Sequence, residues 1–293
     1  MIASASTILV TGATGNVGRH VVRALKARGV PVRAAVFSAE RARGVLGEDI
    51  DLVELDFEDP ATFARASTGA RGLFLLRPPH LARVATTLNP FIDVAQRQGV
   101  EHVVFLSVAG AEKNRFVPHR AVEAHLQACG VASTLLRPGF FAQNLGDAYR
   151  QDIRDDDRLF VPAGRGRAAF VDVRDVAEVA ADAFLDGRHR GQAYTLTGRE
   201  ALDFDQVAAR LTEALGRPIH YARPSALAYV RHLRRRRLPA GQIAVQTALH
   251  LLLRTGNGAR VDPTLERLLG RPPTSLATYI RDHVALWRPS TLS

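Results

Sequence analysis

Residues 7–27 read TILVTGATGNVGRHVVRALKA, and this stretch decides the fold. It opens with a short apolar run typical of a buried strand, and residues 17–28 then repeat apolar side chains at helical spacing. Three glycines separate the two patterns: Gly12, Gly15 and Gly18. A strand that turns through closely spaced glycines into a helix is typical of the first unit of a dinucleotide-binding α/β fold.

Each glycine in this turn has a separate physical reason. Gly12 permits the tight turn, and Gly15 lets the backbone approach a pyrophosphate, which the free N–H groups and dipole of the helix N-terminus attract. Gly18 allows the helix to pack closely on the strand. We therefore expect the turn to bind the pyrophosphate of a dinucleotide through Gly12, Thr14, Gly15, Asn16 and Val17.

Apolar strands and helical segments alternate through the first 140 residues. Helices are predicted after Asp59-Pro60, around residues 84–98 with a kink or late start at Pro90, and over residues 119–128 with Gly130 as C-cap. Because continuous apolar strands separated by helices indicate a parallel sheet covered on both faces, we expect an α/β doubly wound (Rossmann) core over residues 1–150. Further strands are predicted at residues 32–37, 50–55, 72–76, 102–106 and 131–136.

The pattern changes after Pro138. Short strands are predicted at residues 168–173 and 193–197, and Asp203 with Gln206 forms a capping box that opens a helix through Leu215. Residues 224–256 are helical in pattern, with a break at residues 239–241. Since no linker separates the two parts, we expect residues 151–293 to form a small, mostly helical substrate-binding part, interleaved with the core and carrying a helical lid over residues 224–256.

The end of the second predicted strand favours NADPH over NADH. An NAD site carries an acid there to bind the ribose 2′-hydroxyl, whereas this chain has Phe37 and Ser38, with Arg41 just beyond. A hydroxyl and a guanidinium suit a 2′-phosphate, although Arg41 could instead lie on a solvated helix face. We also expect Asp56 and Phe57, which follow the third strand, beside the adenine.

Length and composition narrow the possible classes of protein. The chain has 293 residues, enough for one large domain or two small ones, and it contains no run of 18 apolar residues that would span a membrane. Residues 1–10 lack the features of a signal peptide. A single cysteine, Cys129, excludes an internal disulfide and predicts a reducing, cytoplasmic compartment. The ten histidines show no metal-binding spacing, so we expect no metal.

The chain is strongly basic, with 39 Lys and Arg against 29 Asp and Glu and a net charge of +10. Only Lys26 and Lys113 are lysines, and residues 234–237 are four consecutive arginines. Such a run can bind phosphate or DNA, but no helix-turn-helix or zinc pattern accompanies it. We favour GC-rich coding as the explanation of the overall bias and a solvated helix face near a lid as the explanation of the run, so we expect no specific nucleic-acid partner.

Further motifs follow in the order seen in NmrA-like atypical short-chain dehydrogenases/reductases, and the chain resembles that family over nearly its whole length. The resemblance implies an NADP-binding Rossmann core. The family contains reductases of quinones and ketones, and also non-catalytic cofactor sensors that bind regulatory proteins. The segments that carry the resemblance are Thr11–Gly18, Leu55–Asp56, Leu75–Pro79, Leu106–Ser107, Thr134–Leu145, Val171–Ala177, Tyr194–Gly198 and Leu268–Pro273.

The resemblance also implies which residues lie near the nicotinamide half of the cofactor. Arg77 stands where many members have threonine. Substrate contacts are expected from Ala109, Phe141, Asn144, Leu227 and Val230. The cofactor contacts implied are Leu76, Arg77, Pro78, Ser107, Val108, His119, Pro138, Phe140 and Phe141.

Ordinary short-chain dehydrogenases use a Tyr-x-x-x-Lys pair to protonate the developing alkoxide, and that pair is absent from this sequence. Alignment with the family places Arg115 at the tyrosine and His119 at the lysine. Ser107 and His119 are the catalytic candidates: Ser107 could bond a substrate oxygen, and His119 could bond a ribose hydroxyl or act as an acid with a near-neutral pKa. The alternatives are a strand-end serine satisfied by backbone groups and a surface histidine that pairs with Glu123 at i+4.

We therefore expect a cytoplasmic NADPH-dependent ketoreductase. The sequence resembles the atypical ketoreductases of angucyclinone (aromatic polyketide) antibiotic pathways in actinobacteria. Three features support this resemblance: the arginine-rich coding, the apolar helical lid and the missing proton donor. The expected partner is a small aromatic substrate, with no membrane partner, and the chain is expected to be a monomer or homodimer. The alternatives are an NADPH-dependent quinone reductase and a non-catalytic NADP(H)-sensing regulatory binder.

Overall fold

The computed structural model describes residues 6–288 and divides the chain into two compact units. The first unit contains residues up to Pro138 together with Val173–Leu196, and the second contains Gly139–Asp172 and the residues from Thr197 onward. The boundary therefore lies at Pro138 rather than near residue 150. The physical reason is strand pairing, because the strand Phe140–Phe141 joins a sheet of the second unit whereas Ala193–Leu196 joins the sheet of the first.

The first unit is built on a seven-stranded parallel sheet, which confirms the predicted α/β doubly wound class. The strand order is β10-β6-β5-β4-β1-β2-β3, and every neighbouring pair is parallel. The strands are β1 (Thr7–Val10), β2 (Val32–Val36), β3 (Asp51–Glu54), β4 (Ala70–Leu76), β5 (His102–Leu106), β6 (Ala132–Pro138) and β10 (Ala193–Leu196).

Helices of the first unit follow the predicted apolar periodicity. In the first of them, Val21, Val22 and Leu25 are buried on one face, as expected from the sequence. Pro90 produces a late start, since a 3-10 turn at Val84–Thr86 precedes a helix that begins only at Leu88 and places the proline in its first turn. The helices are α1 (Gly18–Ala27), α2 (Ala39–Leu46), α3 (Phe63–Ser67), α4 (Leu88–Arg97), α5 (Pro118–Ala128) and α7 (Val173–Leu185).

The second unit combines short strands with helices around its own apolar core. Phe204, Tyr279 and Trp287 are among its fully buried side chains. The predicted capping box is confirmed, because Asp203 accepts from the backbone N–H of Gln206 and the Gln206 side chain accepts from that of Asp203. The elements are β7 (Phe140–Phe141), α6 (Arg150–Asp155), β8 (Arg158–Leu159), β9 (Arg167–Val171), β11 (Ala201–Asp203), α8 (Phe204–Leu215), β12 (His220–Tyr221), α9 (Ala226–Arg235), α10 (Ala240–Leu253), α11 (Thr264–Leu269) and α12 (Leu276–Asp282).

The predicted helical segment at residues 224–256 forms a hairpin of α9 and α10. The connection covers residues 236–239, so the break predicted at residues 239–241 coincides with it only at Pro239, and Ala240 and Gly241 begin α10. Its inner side chains bury in the core of the second unit, so the hairpin is anchored rather than free along its length. None of the helices within residues 6–288 is long and apolar enough to cross a membrane. The buried anchors are Tyr229, Leu233, Ile243, His250 and Leu253.

Candidate active site

The glycine turn after β1 is held against β4 by a single threonine. Thr11 Oγ1 donates to the carbonyl of Phe74 at 3.1 Å and accepts from the backbone N–H of Leu76 at 2.9 Å. Gly12 adopts φ +60, and a Cβ on Gly18 would lie 2.1 Å from the Gly12 carbonyl oxygen. The backbone thus closes tightly below the turn while Thr14 and Gly15 remain exposed above it, as a pyrophosphate cradle at a helix N-terminus requires.

The end of β2 presents groups suited to a 2′-phosphate. Ser38 precedes α2, but its side chain makes no capping hydrogen bond there, and Arg41 is exposed. Arg43, by contrast, pairs with Glu48 at 3.1 Å, which neutralises it. Ser38 and Arg41 therefore remain available to bind an anion, whereas Arg43 does not.

The two phenylalanines predicted to bind the cofactor, Phe37 and Phe57, differ in exposure. Phe37 lies just after β2 and is 80% exposed. Phe57 is buried in the core of the first unit, where its ring packs edge-on against Phe91 at 5.3 Å between centroids. Asp56 accepts from the backbone N–H of Glu58 at 2.8 Å and so shapes its own turn. The expectation that Phe57 contacts adenine conflicts with this burial, because a core side chain offers no open face.

Ser107 lies just after β5, and a buried ion pair engages its hydroxyl. Ser107 Oγ donates to Glu123 at 2.6 Å, and Glu123 also accepts two hydrogen bonds from Arg137, at 3.0 and 2.8 Å. The Glu123 side chain is fully buried, and the hydrogen bond that Arg137 donates to Glu123 is the main reason that the pKa of Arg137 is raised. Since the Ser107 hydroxyl already donates its hydrogen to the Glu123 carboxylate, Ser107 can only accept a hydrogen bond from a ligand.

His119 lies on α5, close to Arg77, which follows β4. Arg77 Nε approaches His119 Nε2 at 3.4 Å, and Arg77 Nη1 donates to the carbonyls of Pro78 and Leu81 at 3.0 and 2.7 Å. His119 Nδ1 is buried and has no hydrogen-bond partner within residues 6–288. A donor on the Nε2 side favours the tautomer that carries its proton on Nδ1, so this atom is an unsatisfied donor that fits a bound hydroxyl or carbonyl.

Burial, followed by the positive charge of Arg77, lowers the pKa of His119 to about 4. The imidazole is therefore neutral at pH 7, and the near-neutral pKa expected from the sequence is wrong. Pairing between His119 and Glu123 is also wrong as an alternative, because Ser107 and Arg137 already occupy the Glu123 carboxylate. The structure instead supports His119 as a neutral hydrogen-bond donor.

The remaining residues expected around the nicotinamide and substrate divide between the two units. In the first unit, Leu76 and Pro78 flank Arg77 and are half-buried, Val108 is half-buried, Ala109 is exposed and Pro138 is buried. In the second unit, the Phe140 ring contacts Phe170 and His250, while Phe141 and Asn144 are half-buried. The side chain of Leu227 is 59% exposed, whereas Val230 packs on the core.

Two features of the first unit were missed by sequence reasoning. Glu123, which the sequence predicts only as a surface partner of His119, is fully buried and pairs with the largely buried Arg137. The sequence did carry a signal that Glu123 is buried, because the apolar residues Val122 and Leu126 lie on the same face of α5. Thr11, which joins β1 to β4, gave no comparable signal beyond its place in the glycine turn.

Arg41→Ala is expected to weaken NADPH binding by about 1–3 kcal/mol, the cost of losing a hydrogen bond to a charged group. Titration calorimetry with NADPH and NADH measures the change, and NADH binding should be unaffected because NADH lacks the 2′-phosphate. Arg43→Ala is the matched control, since Glu48 already compensates that residue. Equal weakening for both cofactors, or NADH binding as tightly as NADPH to the unmutated protein, would contradict the assignment.

Comparison with known proteins supports the same cofactor and chemistry. The chain is 31% identical to an NAD(P)H azoreductase of Xenophilus azovorans, covering 95% of this chain and 98% of that protein. It is 32% identical to a (4-alkanoyl-5-oxo-2,5-dihydrofuran-3-yl)methyl phosphate reductase of Streptomyces griseus, covering 96% and 99%. The Escherichia coli quinone oxidoreductase QOR2 in complex with NADPH superposes with a TM-score of 0.84 at 26% identity, covering 95% and 99%.

The glycine cradle, the free Ser38 and Arg41, and these relatives agree on one cofactor. NADPH fits the residues present, since the Gly12–Gly18 turn leaves room for a pyrophosphate and Arg41 faces no competing carboxylate in the described structure. The chain is thus an NADPH-dependent oxidoreductase. Residues 4–256 match the NmrA-like family, and the chain belongs to that family.

Proposed function

We propose that the protein transfers hydride from NADPH to a conjugated, quinone-like carbonyl of an aromatic substrate, without a side-chain proton donor of the Tyr-Lys type. The observation that carries this proposal is the state of the two catalytic candidates. The Ser107 hydroxyl already donates its hydrogen bond to Glu123, and His119 is neutral at pH 7. The acceptor must therefore stabilise most of its own developing negative charge, as an extended conjugated carbonyl does.

Correct positioning of cofactor and substrate can supply most of the rate acceleration when no side chain donates a proton. Bound NADPH supplies the hydride, and the overall change takes one proton from water to give an alcohol or a hydroquinone. The glycine turn, Ser38 and Arg41 hold the cofactor, while Arg77 braces the loop after β4. Well-oriented reactants gain roughly 7–11 kcal/mol in the best cases. A general acid typically contributes about 10²–10⁴-fold, which is a smaller share.

His119 has a defined role in this scheme. Its Nδ1–H is buried without a partner and is a neutral donor, so we assign it a hydrogen bond to a ribose hydroxyl of the cofactor or to the substrate oxygen. A neutral imidazole stabilises an oxygen by donating a hydrogen bond, and it does not need to give up its proton. His119 and Ser107 are in this sense positioning groups, and neither carries an essential proton transfer.

Two substrate types fit the proposal. An aromatic polyketide ketone beside a phenolic hydroxyl is already polarised by its internal hydrogen bond, and this remains our proposal for the natural substrate in a cytoplasmic, antibiotic-pathway setting. A quinone is the second candidate, and the similarity to QOR2 favours it. A non-catalytic NADP(H) sensor is the alternative from another class.

A panel of carbonyl compounds tests the proposal. The loss of NADPH absorbance is followed with a simple quinone, an ortho-hydroxyaryl ketone, its ortho-methoxy analogue and an aliphatic ketone, in the absence of flavin. We expect the quinone or the hydroxyaryl ketone to be reduced, and the methoxy and aliphatic compounds to react at least about 10²-fold more slowly, since they lack internal polarisation comparable to an acid's contribution. NADPH binding without oxidation by any of the four would favour the sensor.

Ser107→Ala and His119→Ala are each expected to retain measurable turnover. Because the pKa of His119 is about 4, kcat/KM of the unmutated protein should show no histidine ionisation between roughly pH 6 and 8, where the imidazole stays neutral. Steady-state kinetics over this range provides the check. A loss of kcat greater than about 10⁴ in a folded, NADPH-binding His119→Ala variant would identify His119 as an essential acid.

A further inference from the structure

Residues 214–261 form the most one-sided charged segment of the chain. Between Glu213 and Asp262 there are nine arginines and neither an aspartate nor a glutamate. The segment contains the whole α9–α10 hairpin. An excess of one charge over 48 consecutive residues attracts ligands of the opposite sign.

Only some of these arginines have carboxylate partners elsewhere in the second unit. Arg236 donates to the buried Asp152 at 3.0 Å, and His232 bonds the same carboxylate at 3.0 Å, so these two side chains anchor α9. No ion pair within residues 6–288 involves the four exposed arginines around the end of α9, which we call the arginine end of the hairpin. They are Arg231, Arg234, Arg235 and Arg237.

The other helix of the hairpin exposes apolar side chains. Val245, Leu249 and Leu252 are 57%, 52% and 50% exposed, and their spacing of four and three residues places them on one face of α10. The helical rise puts the first and last of them about 10 Å apart. Leu227 on α9 is exposed to a similar degree. The opposite face of α10 is already buried through Ile243, His250 and Leu253, so the exposed face remains uncovered.

We propose that the α9–α10 hairpin binds an anionic amphiphile, with the arginine end binding a phosphate, sulfate or carboxylate group and the exposed face of α10 binding an apolar body about 10 Å long. The inference rests on the proposed function, because we take this amphiphile to be the aromatic carbonyl substrate itself, carrying an anionic group. Arginine binds such oxyanions through paired hydrogen bonds, and burial of the exposed leucines and valine adds the apolar contribution.

Charge and apolarity together select this occupant. A nucleic acid would use the arginines but would leave Val245, Leu249 and Leu252 in water. An uncharged aromatic compound would cover the apolar face but would leave four arginines uncompensated. An amphiphile satisfies both features, and the arginines are grouped at one end of the hairpin, as one head group and one tail require.

Titration calorimetry on the full chain saturated with NADP⁺ tests the proposal, since the bound cofactor blocks the other phosphate site. The probes are decyl phosphate below its micelle concentration, inorganic phosphate and decanol. We expect decyl phosphate to bind at least about tenfold more tightly than inorganic phosphate or decanol alone. This difference is equivalent to one further charge-assisted or apolar contact. Similar affinity for inorganic phosphate and decyl phosphate would overturn the apolar half of the proposal.

Two variants remove the two halves of the surface separately. One replaces all four arginines of the arginine end by glutamine, and the other combines Val245→Ser, Leu249→Ser and Leu252→Ser. Each should weaken decyl phosphate binding about tenfold or more, whereas the matched control, with four exposed arginines replaced elsewhere, should not. The control substitutions are Arg23→Gln, Arg97→Gln, Arg165→Gln and Arg281→Gln.

Three results would overturn the proposal: equal affinity in all variants, equal weakening in the control, or binding to phosphatidylglycerol vesicles with no binding of monomeric decyl phosphate.

Turnover separates this inference from the proposed function. Decyl phosphate binding, together with no NADPH oxidation by any of the four carbonyl compounds, would refute the reductase proposal while the surface stands. Reduction of a neutral quinone by NADPH without amphiphile binding would refute the surface while the reductase proposal stands. For an anionic quinone, the arginine variant should raise KM and leave kcat unchanged.

Discussion

Arg137→Met is expected to lower the free energy of unfolding by about 3–5 kcal/mol, because it removes both charged hydrogen bonds to the fully buried carboxylate of Glu123. Arg120, at 3.8 Å, then remains as a more distant counter-charge. Urea denaturation followed by circular dichroism measures the change. Ser107 alone, as a neutral donor, cannot replace two charged hydrogen bonds.

Two controls separate the buried charge from lost packing. A double variant with Glu123→Met and Arg137→Met removes both charges and should recover most of the stability, because apolar residues of similar volume often replace a buried pair without cost. Arg71→Met breaks the exposed pair with Glu101 and should cost less than about 1 kcal/mol. A double variant as unstable as Arg137→Met would show that shape, rather than charge, dominates.

Gly18→Ala is expected to weaken NADPH binding by roughly 10²-fold or more, the effect of displacing a binding group by about 1 Å. The new Cβ would lie 2.1 Å from the Gly12 carbonyl oxygen and 2.9 Å from the Cα of Ala13, both of which are backbone atoms. The N-terminus of α1 must then move away from the turn that we expect to bind the pyrophosphate. Quenching of protein fluorescence by NADPH gives the affinity.

Gly44→Ala is the matched control for this substitution. Gly44 lies in α2, and a Cβ there would meet no atom within 4 Å. Alanine should stabilise the helix by about 1 kcal/mol and leave cofactor affinity unchanged. If a folded Gly18→Ala variant bound NADPH as tightly as the unmutated protein, close packing at this turn would not be a requirement for binding.

Local pattern was sufficient for most of the fold. The strands of the parallel sheet, the late helix start at Pro90, the capping box at Asp203 and the break within residues 224–256 could all be predicted, because each depends on residues within one or two turns of chain. The unit boundary at Pro138 could not, because it depends on pairing between Phe140–Phe141 and the later strand Phe170–Val171. Strand partners distant in sequence leave no periodic signal.

The sequence by itself predicted the nucleotide turn at Gly12–Gly18 and, from Ser38 and Arg41, a preference for NADPH, and it showed that a Tyr-Lys pair is absent, because each of these inferences needs only residue type and spacing. Tertiary structure decided how the side chains behave. It buried Phe57, placed Arg137 against Glu123 and left His119 neutral beside Arg77. Charge state and availability depend on desolvation and on partners 14 to 42 residues away, which only the folded chain brings together.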